Sequence, residues 1–154
     1  MIKIRLFQIE DTEHIAKLFH ETVRNINIQD YSLAQVQAWA PDHLDFKNWQ
    51  ADCLNQFTYV AEKDGHIVGF GQLASNGHIG CFYCDQAYQR CGIGRQIYQV
   101  IHQQALTLGI TYLFVEASIT ALPFFRKLGF TIVKEQLVFC RGEILTNYAM
   151  EKIL

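Results

Sequence analysis

The chain has 154 residues, 50% of them hydrophobic, enough for one domain to build its own apolar core without disulfide or metal staples. Its 13 basic and 15 acidic residues leave a net charge of −2 with no basic run and no acidic tail, which argues against nucleic acid and anionic membrane surfaces as partners. No apolar run approaches membrane-spanning length, and Met1 to Arg5 alternates apolar with charged residues instead of forming a signal peptide, so a cytoplasmic protein is expected.

Ile2, Ile4 and Leu6 alternate with Lys3 and Arg5 and predict a first strand. Asp11 is then expected to cap a helix that carries Ile15, Leu18, Phe19, Val23 and Ile26 on one face and ends near Asn25. Ser32 caps a short second helix, stopped by Pro41, and a further helical turn or two spans Phe46 to Leu54. Phe57–Lys63 and His66–Ala74 read as strands joined by the hairpin signal Asp64-Gly65, and Ser75-Asn76-Gly77 turns the chain into a third, His78–Asp85. Ile97–Leu108 is helical with Gly109 at its C-terminal end, and Thr111–Glu116 is the next strand. Thr120 is expected to cap a short helix with Pro123 in its first turn and Gly129 at its end. Phe130–Phe139 and Ile144–Glu151 close the chain as strands around Arg141-Gly142.

This order predicts a mixed α/β fold in a single domain, residues 1–154. The strand-helix-strand unit from His78 to Glu116 should be a right-handed crossover that sets its two strands parallel. The five cysteines lack the spacing of a disulfide framework and suit a reducing compartment. Cys81 and Cys84 tempt a zinc reading, but residues three apart on a strand face opposite sides and no second pair exists, so no metal site is expected.

The most informative segment is Tyr88-Gln89-Arg90-Cys91-Gly92-Ile93-Gly94-Arg95, a compact turn leading into a helix. Gly92 and Gly94 lack Cβ atoms, so backbone N–H groups can close on an anion where free donors and the helix dipole already favour negative charge. It is neither the dinucleotide fingerprint, since Ile97 stands where a third glycine would, nor a Walker loop, since no Gly-Lys-Ser/Thr follows.

Gln89-Arg90-Cys91-Gly92-Ile93-Gly94 resembles the acetyl-coenzyme A signature of the Gcn5-related N-acetyltransferases, Gln/Arg-x-x-Gly-x-Gly/Ala. Ser118-x-x-Ala121-x-x-Phe124-Phe125-x-x-x-Gly129-Phe130 is similar to that family's second motif, Ser/Asn-x-x-Ala-x-x-Phe-Tyr-x-x-x-Gly-Phe. The resemblance implies a central, mostly antiparallel seven-stranded sheet with helices on both faces and one parallel pair that splays to admit the pantetheine arm.

It also implies acetyl transfer from acetyl-coenzyme A to a primary amine of a small molecule or peptide, by direct attack in a ternary complex. The N–H groups of Gln89, Arg90, Cys91, Gly92, Ile93, Gly94 and Arg95 would hold the pyrophosphate. The backbone of Phe82, Tyr83 and Cys84 would pair with pantetheine and supply an oxyanion donor. Ser118, Ala121, Phe124 and Phe125 would line the arm from the other side.

His78 falls where the histone-acetyltransferase branch carries a glutamate base, and it is either that base or an exposed strand-end histidine. The family's thiolate-protonating tyrosine is replaced by Phe125, which has no proton to give. Tyr83, Tyr148 and Tyr31 are the alternative acids; water is the other source. The acceptor site is expected around Tyr31, Gln35 and Trp39, opposite Arg141-Gly142. A homodimer is compatible with the resemblance. The competing readings are a non-catalytic acyl-coenzyme A-binding module, which Phe125 favours, and a structural subunit that keeps only the fold.

Overall fold

The computed structural model describes all 154 residues. The elements are β1 (Ile2–Leu6), α1 (Thr12–Asn25), α2 (Leu33–Trp39), α3 (Phe46–Leu54), β2 (Phe57–Lys63), β3 (His66–Leu73) and β4 (His78–Cys84). They are followed by α4 (Ile93–Thr107), β5 (Tyr112–Ser118), α5 (Leu122–Lys127), β6 (Thr131–Cys140) and β7 (Glu143–Ile153). The strands form one 7-stranded sheet in the order β1-β2-β3-β4-β5-β7-β6, antiparallel except for β4 against β5.

Local chemistry explains most of these boundaries. Asp64 and Gly65 both take positive φ, 52° and 79°, as the tight β2–β3 hairpin demands, and Arg141 and Gly142 repeat this between β6 and β7 at 42° and 86°. Ser32 caps α2 by accepting the Gln35 N–H, while the Gln35 side chain accepts the Ser32 N–H in return.

Two expected caps are corrected. The Asp11 carboxylate accepts no N–H from α1; it accepts the Gln8 N–H at 2.8 Å and two bonds from the Arg5 guanidinium. A guanidinium offers a bidentate, charge-assisted partner that a helix end cannot match. The Thr120 hydroxyl donates to Asp30 at 2.8 Å, and Ser118 instead accepts the Ala121 N–H at 3.0 Å. A third correction concerns α4, which begins at Ile93, a full turn before Ile97, so that Gly94 lies inside its first turn.

The helices split between the two faces of the sheet. On one face α4 and α5 cover a core that includes Ile97, Ile101, Leu113, Val115, Phe125 and Met150. On the other, α1 and α3 bury Ile15, Leu18 and Cys53 against Val60 and Phe70, while α2 packs Val36 near Leu145.

β4 carries a one-residue bulge. Gly71 pairs with Phe82 and Leu73 with Ile79, so two steps along β3 match three along β4. The fully buried Gln72 fills the defect: its carbonyl oxygen accepts the Cys81 N–H at 3.0 Å and its amide donates to Asp52 at 3.1 Å. A Cβ at position 80 would meet the Gln72 oxygen at 2.8 Å, which is why glycine stands there.

Candidate active site

The turn after β4 presents unpaired donors. Arg90 and Gly92 take φ of 60° and 80°, and the first bond within α4 runs from the Gln96 N–H to the Gly92 carbonyl. The N–H groups of Cys91, Gly92, Ile93, Gly94 and Arg95 therefore have no protein acceptor and sit at the positive end of a 15-residue helix. This donor set suits a pyrophosphate.

The glycines serve different ends. Nothing lies within 4 Å of a Cβ built on Gly92, so that residue answers to its left-handed backbone. A Cβ on Gly94 would meet the Phe124 ring at 2.9 Å, so its absence lets α4 approach α5 as well as leaving the turn open. Gln89 does not turn outward: its amide donates to the Cys84 and Asp85 carbonyls at 2.8 and 3.1 Å, tying the turn to the end of β4. Arg90, Cys91 and Arg95 are exposed, and Ile93 is buried.

Beside the turn the sheet opens. The parallel pairing of β4 with β5 covers only His78 with Phe114 and Ile79 with Val115. Beyond it β5 stays with β7 as far as Ser118 against Asn147, while β4 stays with β3. The Asp85 N–H donates to Val68, which makes Val68–Asp85 and Phe70–Tyr83 the hydrogen-bonded pairs. By alternation the N–H and C=O of Phe82 and Cys84 point into the gap. The Cys84 carbonyl there accepts from Gln89 and, at 3.0 Å, from the Thr22 hydroxyl. The Phe82 ring packs against Phe124, tilted, with centroids 5.3 Å apart, and Ser118, Ala121 and Phe124 are half-buried across the gap. Phe125 is 2% exposed, ringed by Phe82, Phe124 and Phe130.

On the α1 face, at the closed end of the gap, the His78 Nε2 lies 2.9 Å from the Glu116 carboxylate, and its ring packs on Phe114. Residue types alone did not reveal Glu116; the signal was its place on β5, two residues beyond the Phe114 that pairs with His78.

The tyrosines and the acceptor residues are distributed unevenly. Tyr31 donates to the Thr146 carbonyl at 2.6 Å and accepts the Ile119 N–H, a structural bridge in a buried setting; burial, partly offset by that N–H, raises its pKa. Tyr148 donates to Glu135 at 3.1 Å, and this bond raises its pKa. Tyr83 faces α1 among aromatic rings, and burial drives its pKa well above the usual value. Gln35 is spent on its capping box and on the Ile144 carbonyl at 2.8 Å, whereas Trp39 packs between Tyr31 and Tyr83. The β6–β7 turn does reach this region, with Arg141 donating to the Ala38 carbonyl at 2.7 Å.

No thiolate is on hand along β4. Burial pushes the Cys81 thiol up to about 12 and the Cys84 thiol up to about 11. The two side chains pack on opposite faces of the sheet, Cys81 beneath α1 and Cys84 toward α4.

Known proteins share this architecture. The profile of the acetyltransferase (GNAT) domain matches residues 27–152. The uncharacterized N-acetyltransferase YafP of Escherichia coli (strain K12) is 32% identical over 149 residues, covering 97% of this chain and 94% of that protein. A crystal structure described as a GCN5-related N-acetyltransferase, aminotransferase class-II, from Rhodopseudomonas palustris superposes with a TM-score of 0.95 at 30% identity, covering 99% and 95% of the two chains. At 18% identity the fold alone is shared with the PaiA N-acetyltransferase of Thermoplasma acidophilum, solved with coenzyme A, at a TM-score of 0.82 over 100% and 99% of the chains. The chain thus belongs to the GNAT family of acetyltransferases, enzymes that take their acyl group from acetyl-coenzyme A.

Proposed function

We propose that residues 1–154 work as one unit that acetylates a primary amine of a small molecule or peptide by direct attack in a ternary complex. One observation carries this reading: the turn that follows β4 leaves the N–H groups of residues 91–95 without protein acceptors, and the His78–Glu116 pair stands at the closed end of the β4–β5 gap. Acetyl-coenzyme A supplies the activated acyl group when bound. The residue 91–95 donors hold its pyrophosphate, with Gln89 fixing the turn and Arg90 and Arg95 adding positive charge. Phe82 and Cys84 offer the backbone edge for the pantetheine arm, opposite Ser118, Ala121 and Phe124.

The Phe82 N–H, turned into the gap, stabilises negative charge on a carbonyl oxygen. His78 takes the amine proton, directly or through water, while Glu116 fixes the ring. Direct attack is supported by the raised Cys81 and Cys84 thiols, which carry too little thiolate near neutral pH to relay an acyl group. With the Tyr31 and Tyr148 hydroxyls donating elsewhere, water or Tyr83 returns the proton to the leaving thiolate.

The binding-module reading is favoured by Phe125, which puts an apolar ring where a proton donor would serve. A thiol-release assay over an amine panel, beside calorimetry with acetyl-coenzyme A, separates the two. Turnover with any amine sustains catalysis; tight binding without turnover transfers the assignment to the module. Five unpaired cysteines suit the cytoplasm. Exposed Leu137 and Phe139 on the β6 edge support a homodimer, in which antiparallel self-pairing about Lys134 and Glu135 would set opposite charges together.

A further inference from the structure

Six polar, non-aromatic side chains are buried: Asp11, Thr12, Thr22, Asn27, Thr58 and Gln72. Five of them make hydrogen bonds of 3.1 Å or less: Asp11 with Arg5, Thr12 with Ile9, Thr22 with Cys84, Thr58 with Cys53, and Gln72 with Cys81 and Asp52. Asn27, 4% exposed, is the exception. Its amide nitrogen reaches the Ser118 hydroxyl only at 3.5 Å, and its side-chain oxygen accepts no bond from the protein. Buried polar atoms are nearly always paired, so an orphaned one asks for a partner from outside the chain.

Asn27 begins the short turn Asn27–Gln29 that follows α1, and its neighbours place it at the mouth of the gap. Thr22, in the last turn of α1, donates to the Cys84 carbonyl on the β4 lip at 3.0 Å, while Asn27 meets Ser118, the last residue of β5, on the other lip. Asp30 and Tyr31 continue the attachment to the β5 side, through the Thr120 hydroxyl at 2.8 Å and the Ile119 N–H at 2.9 Å. Residues 22–31 thus cross from one lip to the other where β4 and β5 have parted. Among side chains that are not exposed, every N or O sealed from solvent has a partner, so the unpaired Asn27 oxygen is not sealed and keeps an opening.

The Ser118 hydroxyl accepts from the Ala121 N–H at 3.0 Å and from Asn27, and it donates to no protein group. Asn27 and Ser118 therefore present a free acceptor and a free donor side by side. A neutral amide, with N–H and C=O in one group, answers both, whereas an ammonium answers only the acceptor. Turning the Asn27 amide over would free its nitrogen instead, and the C=O of the same ligand amide would meet that. The pantetheine arm carries such amides. Resting on the acetyl-transfer reading above, we infer that Asn27 is a binding residue for coenzyme A, hydrogen-bonding an amide of the pantetheine arm where the arm passes between the Thr22 and Ser118 lips.

The experiment compares coenzyme A with phosphoadenosine diphosphate, the cofactor without its arm, by calorimetry on the full chain. In Asn27→Leu, which removes the amide and keeps a similar volume, coenzyme A affinity should fall about tenfold while that of phosphoadenosine diphosphate holds, since the bond is lost from the arm alone. An equal fall for both ligands would mark a fold defect, and unchanged affinity for both would mean that a water completes Asn27; either overturns the inference. So does a raised KM for the amine with coenzyme A affinity intact, which would give Asn27 to the acceptor. If Asn27→Leu fails to fold, Asn27→Ala must show the same selective loss for the inference to stand. A parent chain that binds coenzyme A no tighter than phosphoadenosine diphosphate would leave the arm no place in the gap, and both the inference and the acetyl-transfer reading would fall. A selective loss in a chain that releases no thiol with any amine would support the inference and sink the acetyl-transfer reading alone.

Discussion

The two faces of the sheet solve different problems with different parts of the chain. The α4 face offers a ligand its backbone: N–H groups at the start of α4, a strand edge turned into the gap, and glycines that leave space. The α1 face presents side chains drawn from α1, α2, α3 and β4, whose rings touch only once the chain has folded. Backbone recognition tolerates many side chains but few backbone conformations; side-chain recognition is the reverse. On the proposed function, the cofactor half can therefore be common to a family while the amine half is free to diverge.

The sharpest way to break this division is at His78, which the proposed function assigns to the amine half. His78→Ala should lower kcat about a hundredfold while leaving acetyl-coenzyme A affinity unchanged by calorimetry. Glu116→Gln, which keeps the shape and removes the charge, should lower kcat about tenfold with KM for acetyl-coenzyme A unaltered. A fall in cofactor affinity for either variant would merge the two halves.

Next in size is the cofactor half. Gly94→Val should weaken coenzyme A binding about tenfold and leave tryptophan fluorescence unmoved, since neither tryptophan touches α4. Pairing it with Phe124→Leu sharpens the cause. Recovery in the double variant would assign the effect to α4–α5 packing, and no recovery would assign it to the pyrophosphate itself.

A smaller effect is expected where α1 is anchored. Burial alone would raise the Asp11 carboxyl, but bonds from Arg5 and the Gln8 N–H outweigh it and hold the group below the usual carboxylate range. A depressed folded-state value stabilises above the unfolded value of about 4 and is lost as pH falls through the folded one. Asp11→Asn should therefore cost about 2 kcal/mol at neutral pH in urea unfolding, with the gap to the parent chain closing in acid. The smallest change is expected at Phe125→Tyr. Its hydroxyl would enter a setting of phenyl rings, so about 1 kcal/mol of stability should be lost with no gain in turnover. A gain in rate would instead show that a missing proton donor limits the reaction.

Legibility in the sequence followed the same line as the two halves. Strand alternation, the Asp64-Gly65 hairpin and the Gly92 turn are local patterns, and they led directly to the strands, the β2–β3 hairpin and the left-handed turn before α4. Caps were less secure, because Asp11 and Thr120 had distant partners, Arg5 and Asp30, that outcompeted the adjacent helix ends. The Glu116 partner of His78 and the ring cluster around Tyr83 were not legible. Each depends on a pairing between segments far apart in the chain, and nothing in a window of a dozen residues encodes it.

The bulge in β4 has a consequence for parity. Along a regular strand, residues separated by an odd number face opposite sides, so positions 78 and 83 would be estranged. The extra residue held by Gln72 advances the count by one and brings His78 to the side that carries Tyr83, leaving Phe82 on the other. Removing Gly80 would not merely shorten the strand. It would exchange the allegiances of the β4 residues upstream, turning the imidazole toward the α4 core and the Ile79 side chain toward the α1 face.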